Sequence, residues 1–281
     1  MPNQIGENLD PDVVADFGRE WSTFDQTNVD AAELERIFDR YFALFPWNTL
    51  RPNAEGFDLG CGSGRWARFC APRVGCLHCI DPSREALEVA KQNLAAQSNC
   101  VFHEAGVNVI PLDEQSMDFG YALGVLHHVP DTLAGIKTCV AKLKPGAPFL
   151  LYLYYAFDNR PPWFKLTWRA SDAMRRVISV LPQPLKYAAS QVIAITVYLP
   201  FATAARILEK QGWPVDLIPL SAYRDKSLYT MRTDALDRFG TRLEKRFTKA
   251  QIERMMAEAG LERIAFGDGE PFWCALGYKR N

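Results

Sequence analysis

The sequence lacks an excess of charge of either sign, a disulfide pattern, a leader-like start and an unbroken apolar span. Each absence removes a class of protein. Lys and Arg total 32 against 33 Asp and Glu, for a net charge of −1, so bulk electrostatics exclude a nucleic-acid binder. The seven cysteines, an odd number, do not read as a disulfide framework; reduced thiols in a cytoplasmic protein are the simpler account. Residues 1–12 are polar, without a basic-then-apolar leader, which argues against secretion. The longest uncharged run, 187–205, contains Ser190, Gln191, Thr196, Pro200 and Thr203. A membrane span needs roughly 20 predominantly apolar residues. The expectation is therefore a buried or lid helix and no integral span, with peripheral lipid contact left open. Cys76-Leu77-His78-Cys79 lies in a strand-like stretch, where residues three apart point to opposite faces. No second Cys or His pair has zinc spacing, so no metal site is expected. No repeat or low-complexity tract occurs.

What is present is organised around Gly56-Phe57-Asp58-Leu59-Gly60-Cys61-Gly62-Ser63-Gly64-Arg65-Trp66. A short apolar run ends in three glycines at alternate positions, then a helix-like segment, Arg65 to Ala71. The spacing predicts a strand, a turn whose backbone closely approaches a ligand, and a helix whose N–H groups face that ligand. Asp58, two residues before Gly60, points into the same turn. Before this stretch, Val14, Phe17, Trp21, Leu34, Ile37, Phe38, Tyr41, Phe42 and Phe45 recur at helical spacing, and Asp30 with Glu33 three residues on is close to a capping box for the second helix. Phe17 to Trp21 are expected either to pack on the core or to cover the ligand cleft.

After it, strands and helices alternate: strands at 57–59, 74–80, 101–104, 117–123 and 148–155, helices at 65–70, 83–96 and 131–143. That pattern implies a parallel sheet with its ligand at the carboxyl ends of the strands. It halts near Asp158 and resumes at Thr248-Lys249-Ala250-Gln251, a capping box, with strands at 262–266 and 272–279. The stretch 158–246 is thus an insertion. Its fifteen Lys/Arg and eight Asp/Glu give it +7, leaving −8 for the rest, a separation able to steer an anionic substrate; a solvated basic helical surface accounts for it equally well.

Asp81 lies 17 residues past Gly64 at the end of the second strand, where an acidic side chain holds a ribose diol in such folds. Pro82 delays the helix that follows. A dinucleotide fingerprint sets its third glycine one position later than Gly64. An NAD(P)-dependent oxidoreductase and a non-catalytic binding or scaffold protein remain as alternatives on the same sheet.

The spacing D-x-G-x-G-x-G resembles motif I of the class I S-adenosylmethionine-dependent methyltransferases. Leu126-His127-His128-Val129-Pro130-Asp131 and Leu143-Lys144-Pro145-Gly146 resemble the type 11 methyltransferase family. The resemblance covers about 55–155 and, more weakly, 247–280. It implies an α/β fold, a doubly wound seven-stranded mixed sheet of Rossmann-like type. The sheet would run over 53–157 and 247–281, with an N-terminal helical cover (1–52) and a helical lid insertion (158–246) for the acceptor.

It also implies S-adenosyl-L-methionine as cofactor, held by Asp58, Gly60, Cys61, Gly62, Gly64, Asp81, Pro82, Leu123 and Trp21. The family's adenine-contacting acidic position falls on Gly106, leaving the Gly106 and Val107 backbone as adenine neighbours. His127 and His128 are the candidate catalytic pair, since a histidine's near-neutral pKa suits proton acceptance; one of them holding the loop is the plainer role. Tyr155, Asp158, Arg160 and Arg232 are candidates to line the acceptor site. The implied reaction is methyl transfer to an oxygen or nitrogen of a small, anionic molecule such as a sugar, lipid intermediate or secondary metabolite, by a chain whose partners include a second copy.

Overall fold

The computed structural model describes residues 8–27 and 29–281. Two compact units are present. The first holds residues up to Thr27, Leu34–Ala156 and Leu243–Asn281; the second holds 29–33 and Phe157–Arg242.

The first unit opens with α1 (Pro11–Thr23) and α2 (Ala31–Tyr41), the latter entering it at Leu34. Then come β1 (Glu55–Leu59), α3 (Ala67–Cys70), β2 (Cys76–Asp81), α4 (Arg84–Asn93), β3 (Cys100–Glu104), β4 (Phe119–Leu123), α5 (Thr132–Lys142) and β5 (Pro148–Tyr152). The sequence cues set several of these ends. Asp10, Ser83 and Asp131 cap α1, α4 and α5 by accepting backbone N–H bonds. Met117 forms only an isolated bridge to Leu143, so β4 begins two residues later than the spacing predicts.

The second unit contributes α6 (Pro162–Ile178), α7 (Gln183–Ile193), α8 (Leu199–Lys210) and α9 (Leu228–Gly240). The chain returns to the first unit with α10 (Lys249–Glu258), β6 (Leu261–Phe266) and β7 (Ala275–Lys279). The predicted capping box is present: Thr248 and Gln251 exchange side-chain-to-backbone bonds at the start of α10.

One seven-stranded sheet has the order β3-β2-β1-β4-β5-β7-β6. β1 to β5 run parallel, and β7 is antiparallel to both β5 and β6. This is the doubly wound mixed sheet expected, with its switch of strand order between β1 and β4. Alternation along the strands builds two apolar layers. Phe38, Phe42, Leu77, Cys79, Phe119 and Tyr121 pack on one face; Phe57, Leu59, Ile80, Ile136, Phe149 and Met256 pack on the other.

Two corrections concern helices. The helix expected from Arg65 is a single turn, Ala67–Cys70, continued as a 3₁₀ turn at 71–73. Pro72 has no N–H to extend it, so it is too short for its dipole to be the main anion-binding element. Glu33, which the spacing assigns to a capping box with Asp30, instead accepts from Ser227 N (3.0 Å) and Thr230 Oγ1 (2.6 Å).

In the second unit, Ile178, Ile193, Ala194, Tyr198, Met231, Ala235 and Phe239 form the core. α7, a π-helical stretch (Ala194–Tyr198) and α8 make one uninterrupted helix, Gln183–Lys210, of 28 residues. By length and composition alone it is apolar enough to cross a membrane, with a mean hydropathy of 1.5 in its most apolar window. Among the described residues, every exposed large apolar side chain except Val101 and Val109 lies in this unit. On α6, Trp163, Leu166, Met174 and Val177 line one outward stripe, with exposed Lys165, Arg169 and Arg176 beside it.

Gly56 and Gly120 have a packing role in the central strand pair. Gly56 lies beside Phe119 and Phe57 beside Gly120 in the β1–β4 register. A Cβ on Gly120 would sit 2.3 Å from the Phe57 ring, and one on Gly56 would sit 2.3 Å from the Phe119 ring. Gly120→Ala is therefore expected to destabilise the fold by about 1–3 kcal/mol through overpacking, read as a lowered urea midpoint at unchanged slope.

Candidate functional site

The turn after β1 follows from three glycines whose φ values are +71, +53 and +75 at Gly60, Gly62 and Gly64. A side chain at these angles is strained, which explains the alternate spacing. The Ile80 carbonyl accepts from both Gly60 N (2.7 Å) and Cys61 N (3.1 Å), and Asp81 Oδ2 accepts from Gly62 N at 2.9 Å. Asp81 Oδ1 accepts from Ser83 N at 2.9 Å, across Pro82. Gly64 packs so close to α4 that a Cβ would meet Leu94 at 2.8 Å. The turn and the acidic end of β2 are thus one hydrogen-bonded structure.

Two buried carboxyls face this turn. Burial pushes Asp58 up to about 8, opposed by the Tyr121 hydroxyl. Burial likewise pushes Asp81 up to about 6, opposed by the Ser83 and Gly62 N–H groups. Tyr121 is the register partner of Asp58 across β1–β4, a pairing that no local motif displays.

α1 covers the carboxyl ends of the strands. The Trp21 indole lies over Gly62, within 2.8 Å of where a Cβ would be, and Arg65 sits 5.3 Å over the same ring. Gly18 abuts Ser83, and Phe17 makes an edge contact with His128 at 4.9 Å between centroids. Leu9 and Asn108 border Gly106, and Val107 is buried. Asn8 anchors the start of this cover, exchanging two hydrogen bonds with the Asp131 backbone (2.8 and 2.6 Å). Of the two readings for Phe17–Trp21, the structure favours the cover.

Past Leu123 the chain turns at Gly124 (φ +78), and Val125 packs onto Gly60. His127 and His128 follow, both buried. The His127 ring centroid lies 3.8 Å from that of Tyr154 and 4.0 Å from that of His128, both tilted; among the described residues neither of its nitrogens has a hydrogen-bond partner. Burial first, then His128 and Arg246, hold it well below the usual histidine range, so it is neutral. His128 Nδ1 donates to the Leu243 carbonyl at 2.6 Å. That bond fixes the tautomer and leaves Nε2 as the basic nitrogen.

Lys245 ties the same loop down through the Val129 carbonyl at 3.0 Å, and Arg246 lies 5.2 Å over Tyr154. Tyr155 bridges to Phe247, and its ring lies 5.6 Å from that of Phe272 at a tilt of 49°. Asp158, Arg160 and Arg232 belong to the helical unit. There Arg160 donates to the Asp216 carbonyl, and Arg232 donates to Gln191 Oε1 and to Tyr187 (2.9 Å). The first unit therefore gathers Asp58, the glycines, Asp81, Trp21 and the histidines. Arg246 and Val125 are additions that no local motif flagged.

A doubly wound sheet with a glycine cradle after β1, a carboxylate closing β2 and a capped loop after β4 defines a Rossmann-like nucleoside-binding protein. The family model described as a methyltransferase domain matches residues 57–146. The ubiquinone biosynthesis O-methyltransferase of Saccharophagus degradans is 31% identical over 170 residues, covering 50% of this chain and 67% of that protein. The protein of the same description from Coxiella burnetii is 30% identical over 104 residues; the match spans 43% of its length and 37% of this chain.

Two solved folds are similar at low identity. A methyltransferase of Haloferax volcanii, in complex with the Trm112 activator, has a TM-score of 0.52 at 14% identity, covering 96% of this chain and 98% of that one. A SAM-dependent methyltransferase of Aquifex aeolicus has a TM-score of 0.50 at 14% identity, covering 92% and 96%. The chain belongs to the class I S-adenosylmethionine-dependent methyltransferases, and S-adenosylmethionine is the cofactor.

The residues fit that cofactor. Asp81 retains carboxylate lone pairs beyond the two backbone bonds it accepts, suiting a ribose diol. The left-handed glycines keep side chains off the turn.

Two outcomes are expected. Asp81→Asn weakens S-adenosylhomocysteine binding in calorimetric titration by roughly 10–100-fold, the loss of charged hydrogen bonds. The second concerns pH. A carboxyl whose pKa rises on folding stabilises the fold below its unfolded value and loses that contribution as pH climbs through the folded one. Asp58, rising from 3.8 to about 8, should cost the fold stability from about pH 4 toward pH 8. In Asp58→Asn this loss shrinks, and urea midpoints at the two ends of that range draw together.

Proposed function

We propose that this protein methylates a hydroxyl oxygen of an apolar, lipid-like acceptor, with His128 as the base. The observation that carries the reading is the Nδ1 bond of His128 to the Leu243 carbonyl. It orients the imidazole on the loop that follows β4 so that Nε2 is the nitrogen suited to accept a proton. His127, neutral and packed between Tyr154 and His128, fixes the ring position without competing for the proton.

Bound S-adenosylmethionine supplies a methyl carbon on a sulfonium sulfur, an excellent leaving group, so alignment is the larger task and is worth roughly 7–11 kcal/mol. His128 Nε2 would take the proton of the acceptor hydroxyl, while Asp81 and the glycine turn would hold the methyl donor. The products are a methyl ether and S-adenosylhomocysteine. α1, with Phe17 against His128 and Trp21 over Gly62, keeps water from this end of the sheet.

Two observations support the acceptor class. The curated relatives are described as O-methyltransferases of ubiquinone biosynthesis. The helical unit also exposes Trp163 (43%), Leu166 (69%) and Val177 (64%) beside basic side chains, a combination suited to an anionic lipid surface. The acceptor would meet the protein there.

Labelled S-adenosylmethionine offered with prenylated phenols in anionic vesicles, and separately with soluble sugars and amines, tests the reading. Methyl ether in the phenol arm supports it, label only in the sugar or amine arm overturns the acceptor class, and no label in any arm favours a binding role. His128→Gln is expected to lower kcat by 10²–10⁴-fold with S-adenosylhomocysteine affinity unchanged; full turnover removes the base. Trp163→Ser with Leu166→Ser should reduce co-sedimentation with the same vesicles.

A further inference from the structure

Toward the amino ends of β1 and β2, the donor side chains of Glu55, Cys76 and His78 meet on one face, with His103 of β3 beside them. Glu55 is the register partner of Cys76 across β1–β2, and His78, two residues on, shares that face. His103 stands two residues past Val101, the β3 partner of His78, on the same side. The contacts are short: His78 Nε2 is 2.7 Å from Glu55 Oε1 and 3.8 Å from Cys76 Sγ, and His78 Nδ1 is 2.8 Å from His103 Nε2.

We propose that Glu55, Cys76 and His78 form a zinc site, with His103 as the positioning residue. The three donor atoms lie within 4.8 Å of one another. Tetrahedral zinc, with Zn–S about 2.3 Å and Zn–N about 2.05 Å, spaces sulfur and nitrogen about 3.6 Å apart. The 3.8 Å between Cys76 and His78 is already near that, and the Glu55–His78 contact has to open by less than about 1 Å. Thiolate, imidazole and carboxylate are zinc's common donors.

The His78–His103 contact is the outer hydrogen bond that orients a ligating imidazole. With His78 at 12% and Glu55 at 45% side-chain exposure, water can reach a fourth position. Cys76 and Cys79 face apart on β2, whereas Cys76 and His78, two residues apart, share a face with Glu55 of the neighbouring strand.

The site's place in the fold sets its role. Glu55 and Cys76 begin β1 and β2, whereas Gly60 and Asp81 follow or end them. At about 3.3 Å per residue the two ends are more than ~10 Å apart. A metal here clamps β1 to β2, and through His103 braces β3; it touches no methyl-transfer group. Binding replaces the Cys76 thiol proton with the metal, so a proton is released.

The test uses the full chain after chelator treatment. Titration with Co²⁺ is expected to raise a thiolate-to-cobalt charge-transfer band, abolished by Zn²⁺, with zinc alone raising the melting temperature. Cys76→Ser removes the band, Glu55→Gln weakens binding, and His103→Ala weakens it by roughly 10–100-fold. S-adenosylhomocysteine affinity, measured in parallel, stays the same in all three and reports that they fold. No band and no zinc-dependent melting shift in the natural sequence overturns the proposal, as does a folded Cys76→Ser that keeps the band. Should Cys76→Ser not fold, the natural chain's band and the Glu55→Gln titration decide.

Discussion

The carbonyl of Ile80 and the carboxylate of Asp81 hold the glycine turn in place, and most of the site depends on that anchoring. Between them they accept three consecutive N–H groups of the turn, from Gly60, Cys61 and Gly62. Asn93 on α4 adds a bond to the Ser63 carbonyl at 2.9 Å, and Gly64 rests on the same helix. The chain after β1 is thus shaped by β2 and α4, not by an extended helix of its own. Asp81 has two tasks at once, since the carboxylate suited to a ribose also positions the backbone beneath it. Its burial raises its pKa, and the amides of Gly62 and Ser83 pull the other way.

The two histidines divide their work by environment. Adjacent in sequence, they differ in what surrounds the ring nitrogens. His127 is enclosed by aromatic rings and stays neutral, a rigid spacer. His128 has one nitrogen committed to Leu243, which selects the chemistry of the other. The segment 243–247 therefore matters beyond connection: Leu243 sets a tautomer, Lys245 fastens the loop after β4, and Phe247 bridges to Tyr155. These are long-range contacts, made by residues more than ninety positions away in the chain.

Local patterns made much of the fold readable. Caps at Ser83, Asp131 and Thr248, the alternation of apolar residues and the glycine spacing located all seven strands and the turn. They failed where a tertiary partner outweighs a local preference. Glu33 serves Ser227 and Thr230 in place of its own helix, and Pro72 stops α3 after one turn. The cofactor half of the site was legible because it lies in short contiguous motifs. Tyr121, Val125 and Arg246 were not, because their roles come from strand register and chain return. The cluster at Glu55, Cys76, His78 and His103 shares that origin: three strands supply it, and no single stretch of sequence displays it.

The interlocked Phe57–Gly120 and Gly56–Phe119 pairs constrain the history of the chain as well as its packing. Each ring occupies the volume that the facing residue gives up, so either glycine acquires a side chain only at a cost in stability while its phenylalanine remains. A loss of ring volume that precedes the gain of a side chain avoids that cost, which links these four positions in the order their substitutions are best tolerated.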